Sequence, residues 1–195
     1  MTRSHRHAAL ALTLLALWPL AGCGSSTDTE EPPPPDPGKA TLRFTNPTVD
    51  DVFVDETLGP GYAVTQGSTS FPGSFDCTKS CSECGSACSQ CGAPLPLVRR
   101  IPAGGSTDYR WEGNFFERSE CSDGCSCQIE RVAARGAYEV RLTGALGYIG
   151  GMMPINNDPD VFSGDLDPAS APCEARGQVT LDGTEVVVEV PFACQ

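Results

Sequence analysis

Histidine is almost missing from this chain: of 195 residues only His5 and His7 are histidines. From residue 8 onward no Ser-His-Asp or Cys-His nucleophile pair, histidine general base or histidine-containing metal site can be built. Basic charge is scarce too, with 13 Lys and Arg against 25 Asp and Glu and a formal net charge of −12. A chain this acidic repels phosphate backbones and anionic headgroups, which excludes a nucleic-acid partner and headgroup-driven membrane binding. No apolar run is long enough for a bilayer span. The apolar run Ala8–Ala21 would rise roughly 21 Å as a helix, against a hydrocarbon core of about 30 Å. No amphipathic helical stretch is long enough to cover a sheet, so a sheet has to pack on another sheet.

What the N-terminus does contain is a basic start, Arg3, His5, Arg6 and His7, ahead of that apolar run, which is the order of an export signal. Leu20-Ala21-Gly22-Cys23 closes the run, and the combination resembles the lipobox of bacterial lipoproteins over the first 23 residues. The resemblance implies cleavage before Cys23, diacylation of its thiol and residues 1–22 as the signal peptide. An ordinary secretory signal, cut nearby at a small-residue site, is the alternative. Cleavage before Cys23 removes both histidines and two basic residues, leaving eleven basic against twenty-five acidic residues and a net charge of about −14. Attachment to the membrane then rests on acyl chains, each buried CH₂ contributing about 0.8 kcal/mol. By the same resemblance Gly24, in place of an Asp, permits the outer membrane rather than retention in the inner one. The expected cofactor set is empty apart from the lipid on Cys23.

Residues 23–38 read as a tether. Small polar and acidic residues lead to Pro32–Pro35 and Asp36-Pro37-Gly38, and none of these buries apolar surface. Stretched as polyproline, the segment reaches on the order of 40–50 Å.

From Lys39 the pattern is that of strands. Ala40, Leu42 and Phe44 alternate with Thr41, Arg43 and Thr45, and Asn46-Pro47 marks a turn. Further strands are expected at 51–56, 61–66, 95–101, 107–111, 127–133, 137–146, 177–181 and 184–190. Leu181-Asp182-Gly183-Thr184 is expected to join the last two as a hairpin. Residues 39–195 suit a single β-sandwich domain, with Phe44, Phe53, Tyr109, Trp111, Tyr138 and Phe192 as core anchors. Pro102-Ala103-Gly104-Gly105-Ser106, Tyr109-Arg110-Trp111-Glu112-Gly113 and Gly136-Ala137-Tyr138-Glu139-Val140 together resemble immunoglobulin-like bacterial domains of the proteinase-inhibitor and hook-capping kinds. The match spans roughly 40 residues, and Cys121, Cys125 and Cys127 interrupt it. It implies an immunoglobulin-like sandwich, not an inhibitory activity.

The eleven cysteines carry the distinctive chemistry. Cys77, Cys81, Cys84, Cys88 and Cys91 recur at intervals of 4, 3, 4 and 3, a heptad stripe that would gather its sulfurs on one face of a helix. Three readings compete. In the first, the sulfurs form disulfides, with at least one bridge to Cys121, Cys125 and Cys127 and a separate Cys173–Cys194 pair. With Cys23 acylated the other ten pair evenly, and the cysteine-rich segment becomes a disulfide-stapled insertion. The second reading is a soft-metal site for Cu(I) or Zn(II) on the Cys77–Cys91 stripe, which faintly resembles the cysteine-lined helices of copper-storage bundles. The third is a redox-active Cys-x-x-Cys, from Cys81/Cys84 or Cys88/Cys91.

A polar loop is expected from Gly147 to Pro172. Asn156-x-Asp158-x-Asp160 imitates the start of a calcium loop, and Asp165 and Asp167 follow, but Val161 stands where an EF-hand needs Gly and the closing Glu is missing. The alternatives are a solvated acidic loop and irregular calcium ligation; the loop is also a candidate contact surface. No carboxylate pair can be singled out for hydrolysis. The expectation is a lipid-anchored, non-enzymatic binding, adhesion or structural module of the cell envelope, held to the membrane by Cys23 and meeting an unidentified protein or envelope partner.

Overall fold

The alternation of Ala40, Leu42 and Phe44 becomes strand β1 (Lys39–Thr45) in the computed structural model, with all three side chains fully buried. The structure describes residues 35–75, 77–88, 92–155 and 157–195. The expected signal peptide, Cys23, most of the expected tether, Cys91 and Asn156 therefore lie outside the described residues. Residues from Pro34 to Gln195 form one compact unit.

After β1 come β2 (Val52–Asp55), β3 (Ala63–Gln66), β4 (Thr69–Ser70), β5 (Lys79–Ser80), β6 (Leu97–Ile101) and β7 (Ser106–Trp111). They are followed by β8 (Asn114–Glu120), β9 (Ser126–Val132), β10 (Gly136–Ala145), β11 (Tyr148–Pro154), β12 (Val161–Leu166), β13 (Pro172–Leu181) and β14 (Glu185–Cys194). The described residues contain no α-helix, only a 3₁₀ turn at Cys81–Glu83. No helix among them is long and apolar enough to cross a membrane.

Strand β14 makes the sandwich. Its residues Glu185–Pro191 run parallel to β1, whose other side pairs antiparallel with β7. Its last residues pair instead with β13, placing Cys194 opposite Cys173 and Phe192 opposite Ala175. One layer is thus β7-β1-β14, and the other continues β13-β10-β2-β6-β12-β11, with β3 and β4 beside β10. Between the layers, Leu42, Phe44, Tyr109, Trp111, Val190 and Phe192 meet Val52, Val54, Tyr138, Val140, Leu142, Ala175, Val179 and Leu181. Trp111 and Tyr138 pack edge to face, with ring centroids 5.0 Å apart. The sheet β5-β9-β8 forms the cysteine-rich insertion, joined to the core through Phe71, which touches both Phe115 and Tyr138. The fold is therefore an all-β, disulfide-stapled sandwich, and the immunoglobulin-like expectation holds at the level of that architecture.

The expected hairpin at Leu181–Thr184 is corrected. The turn forms, with Gly183 at φ 100° and Asp182 Oδ1 accepting from Thr184 N at 3.0 Å, but the flanking residues do not pair with each other. Past the turn β14 pairs with β1 instead, and Lys39 N donates to Thr184 O at 3.2 Å. The two strands leave the turn in different layers and rejoin only at their far ends. Where they diverge, β13 carries Gly177. A Cβ there would lie 2.9 Å from Val190 Cγ2, so a larger residue would push the crossing strand away.

Two further expectations change. The loop from Gly147 to Pro172 is mostly the hairpin β11–β12, disguised in the sequence because Gly150 and Gly164 face each other where alternating apolar residues would mark strands. A Cβ on Gly150 would lie 2.1 Å from Ser163 O. Phe53 is not a core anchor: Val52 and Val54 take the inward positions, and Phe53 faces outward against Tyr148, ring centroids 4.7 Å apart. The turn at Asn46 is confirmed and made specific. Its buried Nδ2 donates to the carbonyls of Asp50 at 2.8 Å and Ile101 at 2.9 Å, while Oδ1 accepts from Thr48 N and Oγ1.

Substitution Phe44→Ala is expected to cost about 3–5 kcal/mol and Gly177→Val about 1–3 kcal/mol. Val187→Ala, on an exposed position of β14, should change stability by less than about 0.5 kcal/mol. Denaturant unfolding of the three variants checks the order, and a Gly177→Val protein as stable as the wild type would contradict the crossing geometry.

Candidate functional site

The hairpin β8–β9 presents three buried cysteines. Its turn, Cys121-Ser122-Asp123-Gly124-Cys125, is closed by Cys121 N donating to Cys125 O at 2.9 Å, with Gly124 at φ 80° and Asp123 Oδ1 accepting from Cys125 N at 3.1 Å. Against β9 lies the short parallel strand β5, Lys79 opposite Cys127 and Ser80 opposite Gln128. Gln128 Oε1 accepts from Phe75 N and Thr78 Oγ1, both at 2.9 Å, which seats the incoming chain. The 3₁₀ turn then starts with Ser80 Oγ accepting from Ser82 N at 3.3 Å.

Three disulfides join the two segments. Cys81 bonds Cys127, Cys84 bonds Cys121 and Cys88 bonds Cys125, with Cα separations of 5.0, 5.5 and 5.3 Å. Each pairs a buried cysteine of the hairpin with a half-buried or exposed cysteine of the stripe. Cys77 is disulfide-bonded as well, and Cys91 lies outside the described residues. Elsewhere Cys173 bonds Cys194, directly opposed on β13 and β14 and 21 residues apart. Of the stripe, only Cys81–Glu83 is helical, and its sulfurs point to a partner hairpin rather than along one helical face. Neither is Cys81 bonded to Cys84; both bond outward. Loops of 37–46 residues closed in this way each stabilise by about 2–4 kcal/mol through the unfolded chain.

Lys79 sits inside this cluster with its side chain 5% exposed. Its Nζ donates to Ser86 O at 2.8 Å and lies 3.7 Å from Asp123 Oδ2. The Asp123 carboxyl is held below the usual carboxylate range, first by the Cys125 N–H and further by Lys79. The sulfurs of Cys84, Cys121 and Cys127 all lie within 4.8 Å of one another.

The acidic residues proposed for calcium do not converge. Asp158 Oδ2 pairs with Arg99 at 3.0 Å and its Oδ1 accepts from Asp160 N at 2.9 Å, while Asp160 Oδ1 receives Arg100 at 2.7 Å. Asp165 is at the far end of β12, and Asp167 Oδ1 caps the next turn by accepting from Ala169 N at 2.8 Å. Two of the four carboxylates are thus neutralised by arginines that sequence spacing could not connect to them.

Two surface concavities also form. One of about 480 Å³ is lined by Leu58, Pro60, Tyr62, Phe71, Pro72 and Arg110. Burial, and then Glu112, pushes the Tyr62 hydroxyl up to about 12. The other, of about 360 Å³, contains Glu56, Arg99 and Tyr109. Glu56 Oε1 accepts from Arg99 Nε at 2.6 Å and from the Tyr109 hydroxyl at 2.5 Å. Burial and then Glu56 raise the Tyr109 pKa, keeping the phenol a donor; burial opposes the charge on Arg99, but Glu56 and Asp158 outweigh it and hold the guanidinium ionised. Tyr109 was legible only as a core aromatic, because Glu56 and Tyr109 are 53 residues apart.

Searches against protein-family models, curated proteins and solved structures found no match. The class that fold and site define is a disulfide-locked β-sandwich module.

Tyr62, Tyr109 and Tyr138 all ionise later folded than unfolded, so their contribution to stability is complete below pH 10 and is lost as the pH climbs through the folded values, from 10 to about 12 for Tyr62. Unfolding free energy should fall over that window, and Tyr62→Phe should flatten part of the fall. A free energy level from pH 10 to 12, or phenolate absorbance appearing at 10 for every tyrosine, would contradict the burial of these rings.

Proposed function

We propose that this chain is an exported module, anchored through lipid on Cys23, that binds an extended segment of another envelope protein along the free edge of its larger sheet and catalyses no reaction. The observation that carries the binding half is strand β11. It ends the strand order, so one side of its backbone has no neighbouring strand among the described residues. Along it Ile149, Met152 and Met153 are 61%, 89% and 81% exposed. An apolar edge strand left open is a template for strand addition, with main-chain hydrogen bonds supplying affinity and the flanking side chains supplying choice. Methionine adds an unbranched, adaptable contact surface.

Support for export comes from two independent sources. Lipobox, basic start and apolar run occur together at the N-terminus, and every described cysteine of the domain is disulfide-bonded. Disulfides on this scale belong to oxidising compartments. The tether gives the module a reach on the order of 40–50 Å from its anchor, enough to search for a partner while membrane-bound.

Intact mass of the protein purified from a bacterial envelope should begin at Cys23 and carry acyl mass; a mature species starting there without added mass refutes the anchor. A photo-crosslinking residue at position 153 should capture one discrete envelope protein, while the same residue at Thr180, exposed on the outer face of β13, should capture none. Equal capture at both positions, or none at 153, refutes β11 as the contact edge.

A further inference from the structure

The cysteine insertion contains more chemistry than three staples require. Sulfurs of two separate bridges, Cys84–Cys121 and Cys81–Cys127, approach closely enough that Cys84, Cys121 and Cys127 form a triad within 4.8 Å, two of the three buried. Cys81 packs against the same buried cluster. A tetrahedral thiolate site with metal–sulfur bonds of about 2.3 Å places its sulfurs about 3.8 Å apart. The cluster is therefore already gathered close to that spacing on the β8–β9 hairpin and its Cys121–Cys125 turn, whose own hydrogen bonds do not depend on the bridges, with β5 paired against β9.

Charge is arranged for it as well. Lys79, buried and in register with Cys127, brings an ammonium into a cluster whose other members, as disulfides, are neutral. Burying a lysine is costly; the Ser86 carbonyl at 2.8 Å satisfies one donor, and the Asp123 carboxylate, 3.7 Å away and partly exposed, is the nearest opposite charge. An anionic metal–thiolate centre beside it would use the charge fully. A neighbouring ammonium also lowers thiol pKa values and so favours the thiolate form that binds metal.

We propose that Cys81, Cys84, Cys121 and Cys127 are a redox-gated site for one Zn(II), reached when a dithiol reductant opens the two bridges. Each bridge takes two electrons from one dithiol, which leaves as its own cyclic disulfide, and each opened bridge yields two thiols. Zn(II) then displaces the four thiol protons to solvent, giving a doubly anionic tetrathiolate against the Lys79 ammonium. Two equivalents of a disulfide oxidant, each taking up two electrons and two protons to leave as its dithiol, restore the two bridges and release Zn(II). The site draws on the hairpin as much as on the stripe, so it is not the Cys77–Cys91 helix-face arrangement, and it stands whether or not Cys23 is acylated.

The test uses the full mature protein, reduced with dithiothreitol without oxygen, freed of reductant and titrated with Zn(II), and with Co(II) as a spectroscopic probe. One equivalent should bind, with the thiolate-to-cobalt charge-transfer bands of a tetrahedral sulfur site, and the oxidised protein should bind none. Cys84→Ser and Cys127→Ser should each weaken Zn(II) binding by about 100-fold or more, while Cys173→Ser/Cys194→Ser leaves it unchanged. Lys79→Met should weaken it by about 10-fold and move half-binding to higher pH, with Lys79→Arg restoring both. Binding that survives Cys127→Ser, that requires Cys88 and Cys125 instead, or that the oxidised protein shows equally, overturns the assignment. Circular dichroism of the reduced, metal-free protein guards against a trivial loss: with the sandwich spectrum intact and no cobalt bands, the proposal fails.

Discussion

Strand β14 belongs to both layers of the sandwich, and the rest of the fold depends on how it divides its hydrogen bonds. Its first seven residues complete a layer with β1, and its last three rejoin β13. The division works because three conditions meet. β1 pairs with the first part of β14, Gly177 leaves room for Val190 as β13 and β14 part, and the Cys173–Cys194 bridge clamps the point where they reunite. The hydrophobic core is the space enclosed by that divergence, which explains why Leu42, Phe44 and Val190 are fully buried while Val187, one position out of phase, is largely exposed. β1 begins at Lys39, so the N-terminal segment 35–38 runs directly into one of the two strands on which the sandwich closes.

The insertion follows a different logic. Between β4 and β6 the described chain has only a two-residue strand and one 3₁₀ turn, too little hydrogen bonding and too little apolar surface to order itself. Covalent bonds do that work. Three bridges join exposed or half-buried cysteines to buried ones on the hairpin, so the position of the segment is set by β8–β9 and not by a core of its own. Crowding three bridges onto one hairpin turn brings sulfurs of different bridges together, and the buried Lys79 gives that crowd a charge. Structural and chemical roles need not conflict, since the sandwich core lies elsewhere and does not rely on these bonds.

The acidic surface is organised rather than merely acidic. Arginines 99 and 100 draw Glu56, Asp158 and Asp160 into ion pairs beside the β6–β12 contact, leaving β11 on the outer side with its methionines uncovered. Pairs of this kind add little stability in water, but they hold the β11–β12 hairpin against the sheet and so present its outer edge. That open edge, with backbone and methionine exposed, is the surface on which the proposed binding role rests.

Strands with unbroken alternation, β1 and β10 above all, were legible in the sequence because a single residue period states which face is buried. The disulfide framework was legible as a count and as a need for bridges between the two clusters. β8, rich in charge, and β11–β12, interrupted by glycines, were not, because their stability comes from cross-strand partners distant in the chain: Glu117 with Arg131, Gly150 against Gly164. Nor could spacing assign Asp158 to Arg99 or Glu56 to Tyr109. By itself, then, the sequence determined the strand-forming pattern, the acidic charge and the cysteine supply, all properties of near neighbours and composition. The Cys173–Cys194 pair was legible as well, but tertiary structure alone decided which cysteine of the stripe meets which on the hairpin, that Asp182-Gly183 turns between layers and not within one, and that β11 is left at an open edge. Each of those depends on how segments distant in the chain pair with one another, and only the assembled sheets resolve it.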